Sequence, residues 1–263
     1  MCIIVYKPKG TPAPDTELLK RCWDANPDGA GMMWTDGDAV HIEKGFMNWE
    51  EFEAAYKRLL DICDIDSLPL GLHFRIATHG DVKPGCCHPF PIAGSAAHMR
   101  KTSQTADIGF MHNGMLRGLV TSSAVSDSMA YAKTVINPLT ALTRNLLASK
   151  SALQVIDNTR QDCRFLLMDS CGNVETLGRW IAEDGILFSN TSYRKSTYSG
   201  YWEFPEATQT TLFDDAFFSP SDYSIPDYGQ DSICESCECL TDCKEEGFIC
   251  FESYEPTETQ IPA

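Results

Sequence analysis

The order of elements read from the sequence predicts an α+β protein built on two sheets with helices outside them. Strand-length apolar runs come first, helical periodicities fill the middle and further strands follow, without the regular alternation of a doubly wound sheet. The chain has 263 residues, 43% of them apolar, enough for a sizeable core. Its charge is unevenly divided. Residues 201–263 hold 15 acidic residues and 1 basic one, whereas residues 1–200 hold 22 and 20, so a nearly neutral body precedes an acidic tail. Two domains are expected, 2–200 and an irregular 201–263.

Within the body, Cys2 to Tyr6 reads as a short buried strand, residues 15–23 as a helix stopped near Pro27, and residues 28–31 (DGAG) as a turn leading to Met32 and Met33. Val40 and Ile42 alternate with polar neighbours as a strand does. Asn48 followed by Glu51 is a capping-box signal for a helix whose stripe is Phe52, Ala55, Tyr56, Leu59 and Leu60. Residues 71–80 (GLHFRIATHG) read as a strand entering a turn at Gly80, and residues 108–114 (IGFMHNG) as a strand with a hairpin-like or tight turn at Asn113-Gly114. Residues 126–136 begin with cap formers and continue as a helix to Pro138. Helical stretches around 139–148 and 150–157 precede strands at 163–169 and 185–190.

The formal net charge of −16 opposes a nonspecific nucleic-acid or anionic-membrane surface, since both need positive charge. No apolar run approaches the ~20 residues that span a bilayer, and the opening MCIIVYKPKG is too short and too weakly basic for a signal peptide. A cytoplasmic protein is expected. Its 12 cysteines, seven scattered through the body and five in the tail, are then unlike a disulfide framework.

Several residues carry candidate chemistry, each beside a plainer reading. Once Met1 is removed, Cys2 offers a thiol and a free amine on one residue, and an α-amine titrating near ~8 can take the thiol proton; the plainer reading is a small buried strand residue. Arg75, a cation within an apolar strand, is either a bidentate carboxylate clamp or part of an internal ion pair. Asn113-Gly114 is either a hairpin turn or an oxyanion hole made by a side-chain amide and a backbone N–H. Asp127 is either a helix cap or an ammonium site. His79 and His88 with Cys86 and Cys87 make a poor metal site, because adjacent ligands constrain their vectors badly. Histidines 41, 73, 98 and 112 have no spacing that selects a role.

Taken in order, MCIIVY, NPDGAG, HFRIATHG with His88-Pro89 nine residues past its histidine, FMHNG and SDS resemble the landmarks of class II glutamine amidotransferases, which are N-terminal-nucleophile hydrolases. The resemblance covers about residues 2–195. It implies a four-layer αββα sandwich and an N-terminal cysteine that attacks the side-chain amide of L-glutamine. By the same resemblance Cys2 is the nucleophile and its own amine the base, with Asn113 and Gly114 as the oxyanion pair. Arg75 matches the residue that holds the substrate carboxylate, Thr78 and His79 shape the same loop, Asp127 receives the substrate amine, and His88 supports the pocket. No cofactor is implied for the hydrolysis. Three departures stand out: Ile76 replaces the usual tryptophan, Met129 the usual glutamate, and Met1 is part of the chain.

Residues 201–263 are too few and too acidic for the synthase module that receives ammonia in such enzymes, so a separate ammonia-accepting enzyme is the expected partner. In the tail, Cys234, Cys237, Cys239, Cys243 and Cys250 follow C-x2-C-x-C-x3-C-x6-C. The first four can chelate zinc or hold an iron–sulfur cluster; a reduced disordered tail and disulfides are the other readings. The rival functions are an N-terminal cysteine hydrolase of another amide and a noncatalytic amidotransferase-like interaction module.

Overall fold

The computed structural model describes residues 2–77, 81–143 and 145–194. The tail cysteines and the loop residues Thr78 and His79 lie outside the described residues. Among those described, the strands form two antiparallel sheets in an α+β fold. The larger sheet holds β1 (Ile3–Lys7), β2 (Ala30–Thr35), β3 (Val40–Phe46), β4 (Leu70–Phe74), β6 (Ser103–Ala106), β10 (Ile181–Glu183) and β11 (Ile186–Phe188), in the order β10-β11-β1-β4-β2-β3-β6. The smaller holds β5 (Phe90–Pro91), β7 (Ile108–Asn113), β8 (Arg164–Asp169) and β9 (Val174–Leu177), in the order β5-β7-β8-β9.

Side-chain parity sorts the larger sheet into two apolar faces. Ile3, Val5, Ala30, Met32, Leu70, Leu72 and Phe74 pack against α1 (Thr16–Ala25) and α2 (Trp49–Ile62) through Leu19, Trp23, Phe52 and Tyr56. Ile4, Met33, Val40 and Ile42 point the other way and meet Met111, Leu166 and Met168 of the smaller sheet. The sheets come close enough that a Cβ on Gly109 would lie 2.6 Å from the Met33 sulfur. A side chain there would have to displace Met33.

On the far face of the smaller sheet, Phe110 and Phe165 meet edge to face at 4.9 Å, and Tyr131 lies 5.1 Å from Phe165. Tyr131 closes α4 (Asp127–Tyr131), and its hydroxyl bonds the Ile156 carbonyl and the Thr159 hydroxyl of α6 (Lys150–Thr159).

The Asn48 cap forms as expected, its side chain accepting the Glu51 N–H at 2.9 Å. Leu60, read as part of the apolar stripe, is exposed. Two expectations are corrected. The helix does not stop before Pro138: after a π-helical turn over Ala132–Ile136 it resumes as α5 (Asn137–Leu142), with Pro138 in a first turn where a missing N–H is tolerated. Asn113-Gly114 is not a hairpin turn, because β7 pairs with β5 and β8, neither of which follows it directly. Short elements escaped the sequence reading, including β5, β6, β9, β10 and α3 (Ala96–Met99), whose two to four residues carry too little periodicity.

Candidate active site

Strand register decides what surrounds Cys2. Across β1 and β4, Ile4 opposes His73 and Ile3 opposes Phe74, so one further step sets Cys2 beside Arg75. Ile4 faces the smaller sheet, and parity turns Cys2 to the same side. The Cys2 sulfur lies 3.4 Å from both the N and the O of Ile76, accepting from the first and donating to the second. Its carbonyl accepts the Asn190 side-chain amide at 2.6 Å. Burial pushes the Cys2 thiol up, against the Ile76 hydrogen bond and the charge of Arg75, which pull it down. A thiol in that state needs a base to react at neutral pH.

Arg75 is 6% exposed, and its Nη1 donates to the Asp81 carbonyl at 2.9 Å. The NPDGAG turn braces this strand end. Arg75 N–H donates to the Gly29 carbonyl at 2.8 Å, Asp28 N–H donates to the Arg75 carbonyl at 2.9 Å, and Ala77 N–H donates to the Asp28 carboxylate at 2.7 Å.

Asn113 ends β7 almost fully buried and shares the face of Met111, toward the larger sheet. Its amide is 2.8 Å from Ser189 Oγ, and the same oxygen accepts the Ile4 N–H at 2.8 Å. Ser189 therefore joins β1 to the Asn113 side chain. Gly114 has φ +144, and a Cβ on it would lie 2.6 Å from the sulfur and 3.0 Å from the Cα of Cys163, just before β8, so the close approach of that residue favours glycine here.

Ser126 is the side-chain cap of α4, accepting the Met129 N–H at 3.3 Å, and Asp127 sits one residue inside. The Asp127 carboxylate accepts Leu116 N–H at 2.9 Å and Ser128 N–H at 2.8 Å, tying the chain after Gly114 to the helix start. A cavity of about 540 Å³ opens beside it, lined by Asp81, Leu116, Thr121, Ser126 and Asp127 among others. Cys2, Arg75 and Asn113 are not in that lining; Arg75 reaches its edge through Asp81.

His88 lies deeper than the sequence reading places it. Its ring lies tilted 4.3 Å from His73 and edge-to-face 4.6 Å from Phe90, and neither ring nitrogen has a hydrogen-bond partner among the described residues. His73 Nε2 reaches across to the His112 carbonyl at 3.2 Å, and His112 Nδ1 pairs with Ser128 Oγ at 2.8 Å. Burial keeps all three rings neutral, pushing His73 down to about 3, His112 to about 4 and His88 well below the usual range.

Cys2, Arg75 and Asn113 thus gather at one end of the gap between the sheets, with Asp127 one hydrogen-bonded loop away. Sequence reasoning missed Ser189, Asn190, Asp28, His73 and His112. A polar Ser-Asn pair closing the apolar run GILF was the available signal for the first two. Among the described residues no group of three or more His, Cys, Asp or Glu side chains could hold a metal ion, and no helix is long and apolar enough to cross a membrane.

No family model matches the chain, and no curated protein matches it. A solved structure gives a distant resemblance. Glutamine phosphoribosylpyrophosphate (PRPP) amidotransferase from B. subtilis, complexed with ADP and GMP, matches 65% of this chain at 15% identity and a TM-score of 0.36. The match spans 35% of that enzyme's chain.

Proposed function

We propose that this chain is a glutaminase of the class II amidotransferase type, on a four-layer αββα scaffold of the N-terminal-nucleophile kind. One observation carries the reading: β1, β4 and β7 bring Cys2, Arg75 and Asn113 to one end of one gap, the nucleophile's strand being joined to the Asn113 amide through Ser189.

The chemistry follows from those positions. A thiol held protonated by burial needs an adjacent base, and removal of Met1 supplies one in the α-amine of Cys2. The sulfur adds to the δ-carbonyl of glutamine while the amine takes the thiol proton. Negative charge collects on an oxygen facing the Asn113 amide and the Gly114 N–H. The amine returns the proton to the departing nitrogen, ammonia leaves, and water cleaves the γ-glutamyl thioester to glutamate. Arg75 holds the substrate carboxylate, Asp127 its ammonium, with Thr78, His79 and His88 as the supporting set. A glutamine within a peptide lacks one or both charged ends and would leave a buried charge unpaired.

Hydrolysis in this scheme needs no cofactor. Zinc or an iron–sulfur cluster on Cys234, Cys237, Cys239 and Cys243 would belong to the tail alone, and the ammonia would pass to a separate accepting enzyme.

The test is covalent labelling. A glutamine analogue with a diazoketone in place of the amide should add one equivalent to Cys2 of Met1-processed protein, located by peptide mass spectrometry. Free L-glutamine should protect against it. Labelling elsewhere, or at Cys2 without protection, would contradict the reading.

A further inference from the structure

The hydrogen bonds around Ser189 do not close in their simplest form. Its hydroxyl oxygen sits 2.8 Å from Ile4 N, which can only donate, and 2.8 Å from the Asn113 amide. If the Asn113 NH₂ also donates, Ser189 Oγ takes two donors, and the Asn113 carbonyl oxygen is buried with no partner among the described residues. A hydroxyl has one proton to give, and an amide oxygen is the natural receiver. Turning the amide over gives the Ser189 proton an acceptor, since oxygen and nitrogen there are distinguished by their bonding. Ser189 accepts from Ile4 N–H and donates to Asn113 Oδ1, and the Asn113 NH₂ takes the unpartnered position.

We propose that Ser189 is a positioning residue that fixes the Asn113 amide with its NH₂ turned away from β1 and reserved for the developing oxyanion. The inference rests on the glutaminase reading and deepens it. Ser189 suits the task because it is 2% exposed and anchored on both sides of its own backbone. Its N–H donates to the Ile4 carbonyl at 3.0 Å, and the next residue, Asn190, holds the Cys2 carbonyl. Asn190 is itself fixed, its Oδ1 accepting the Ser192 N–H at 2.9 Å. β11 pairs with β1 as far as Phe188 opposite Val5, and the Ser-Asn pair continues that grip where the strand ends. One dipeptide thereby sets the distance between the nucleophile's strand and the amide.

The experiment compares wild type, S189A, S189T, N113A and the double variant S189A/N113A, all Met1-processed. Removing the hydroxyl should lower kcat by about 10- to 100-fold, less than the about 10²- to 10³-fold for losing an oxyanion donor outright, with KM for glutamine nearly unchanged. S189T should restore most of it, and S189A/N113A should be no worse than N113A alone, because both act through one amide. Alkylation of Cys2 by iodoacetamide, which forms no oxyanion, should proceed at the wild-type rate in S189A. Equal losses in kcat and alkylation would place the defect in the strand and overturn the proposal, as would additive effects in the double variant. A second readout does not depend on turnover: the ¹⁵N side-chain amide signal of Asn113 should shift in S189A. An inactive wild type with that shift present would remove the glutaminase reading and leave the Ser189 anchor standing; an unmoved signal would remove the anchor.

Discussion

The two sides of the larger sheet obey different rules. Toward α1 and α2 the contacts are aromatic and aliphatic, with Phe52 buried and its ring 5.0 Å from Phe74, and the Tyr56 hydroxyl satisfied by the Pro14 carbonyl at 2.6 Å. Toward the smaller sheet the apolar contacts around Ile4 and Met111 give way, at one end, to His73, Arg75, His88 and Asn113. Among the described residues, His73 Nδ1, both His88 nitrogens, His112 Nε2 and one end of the Asn113 amide are buried without a partner. Burying an unpaired polar atom costs about 1–3 kcal/mol. The first face specifies the fold; the second bears a cost that the proposed chemistry at the strand ends would account for.

The sharpest break of that contrast is at its two centres. Phe52→Ala should remove about 3–5 kcal/mol of stability, read as a lowered urea midpoint. Activity per folded molecule should be little changed. Asn113→Ala should do the reverse, lowering kcat by about 10² to 10³ with KM nearly constant. A KM-only defect in N113A, or an equal stability loss from both variants, would erase the distinction.

Acid sharpens it further. Unfolded histidines titrate near ~6.5, whereas burial holds folded His73 near about 3 and His112 near about 4, with Lys44 and Arg75 facing His73 and Asp127 facing His112. As pH falls below ~6.5 the unfolded chain gains protons that the folded chain refuses. The stability these groups permit is full above that pH and is lost progressively toward pH 4 and below. Denaturant midpoints should fall over this window, and His73→Phe should flatten the fall. An unchanged slope in that variant would show the histidines titrate freely.

Legibility in the sequence followed the same division. The α2 stripe and its Asn48 cap repeat often enough to be read directly. Cys2 stands out as a thiol next to Met1, Arg75 as a cation within an apolar strand, Asn113 as the polar end of another, and Asp127 as an acid at a helix start. What could not be read was who meets whom. Ser189 lies 76 residues from Asn113, and they meet through the pairing of β11 with β1 and the facing of that sheet by β7. Likewise His73, His88 and His112 sit on β4, before β5 and on β7, so their meeting depends on how two sheets face, which no spacing encodes. Gly114 read as freedom for a substrate and also serves the approach of Cys163.

The smallest expected effect lies farthest from the chemistry. Asn48→Ala removes the oxygen that accepts the Glu51 N–H, and should lower stability by about 1 kcal/mol in denaturant titration while glutamine turnover stays at the wild-type value. A turnover defect there would mean that α2 communicates with the strand ends.

Glutamate release from free L-glutamine, followed by coupled assay or mass spectrometry, tests the central claim most directly. Met1-processed wild type should produce glutamate and ammonia in equal amounts, protein retaining Met1 should be inactive, and C2A should be inactive while keeping the wild-type circular dichroism and melting behaviour. Undiminished glutamate production by C2A, or none from correctly processed wild type, would contradict the account.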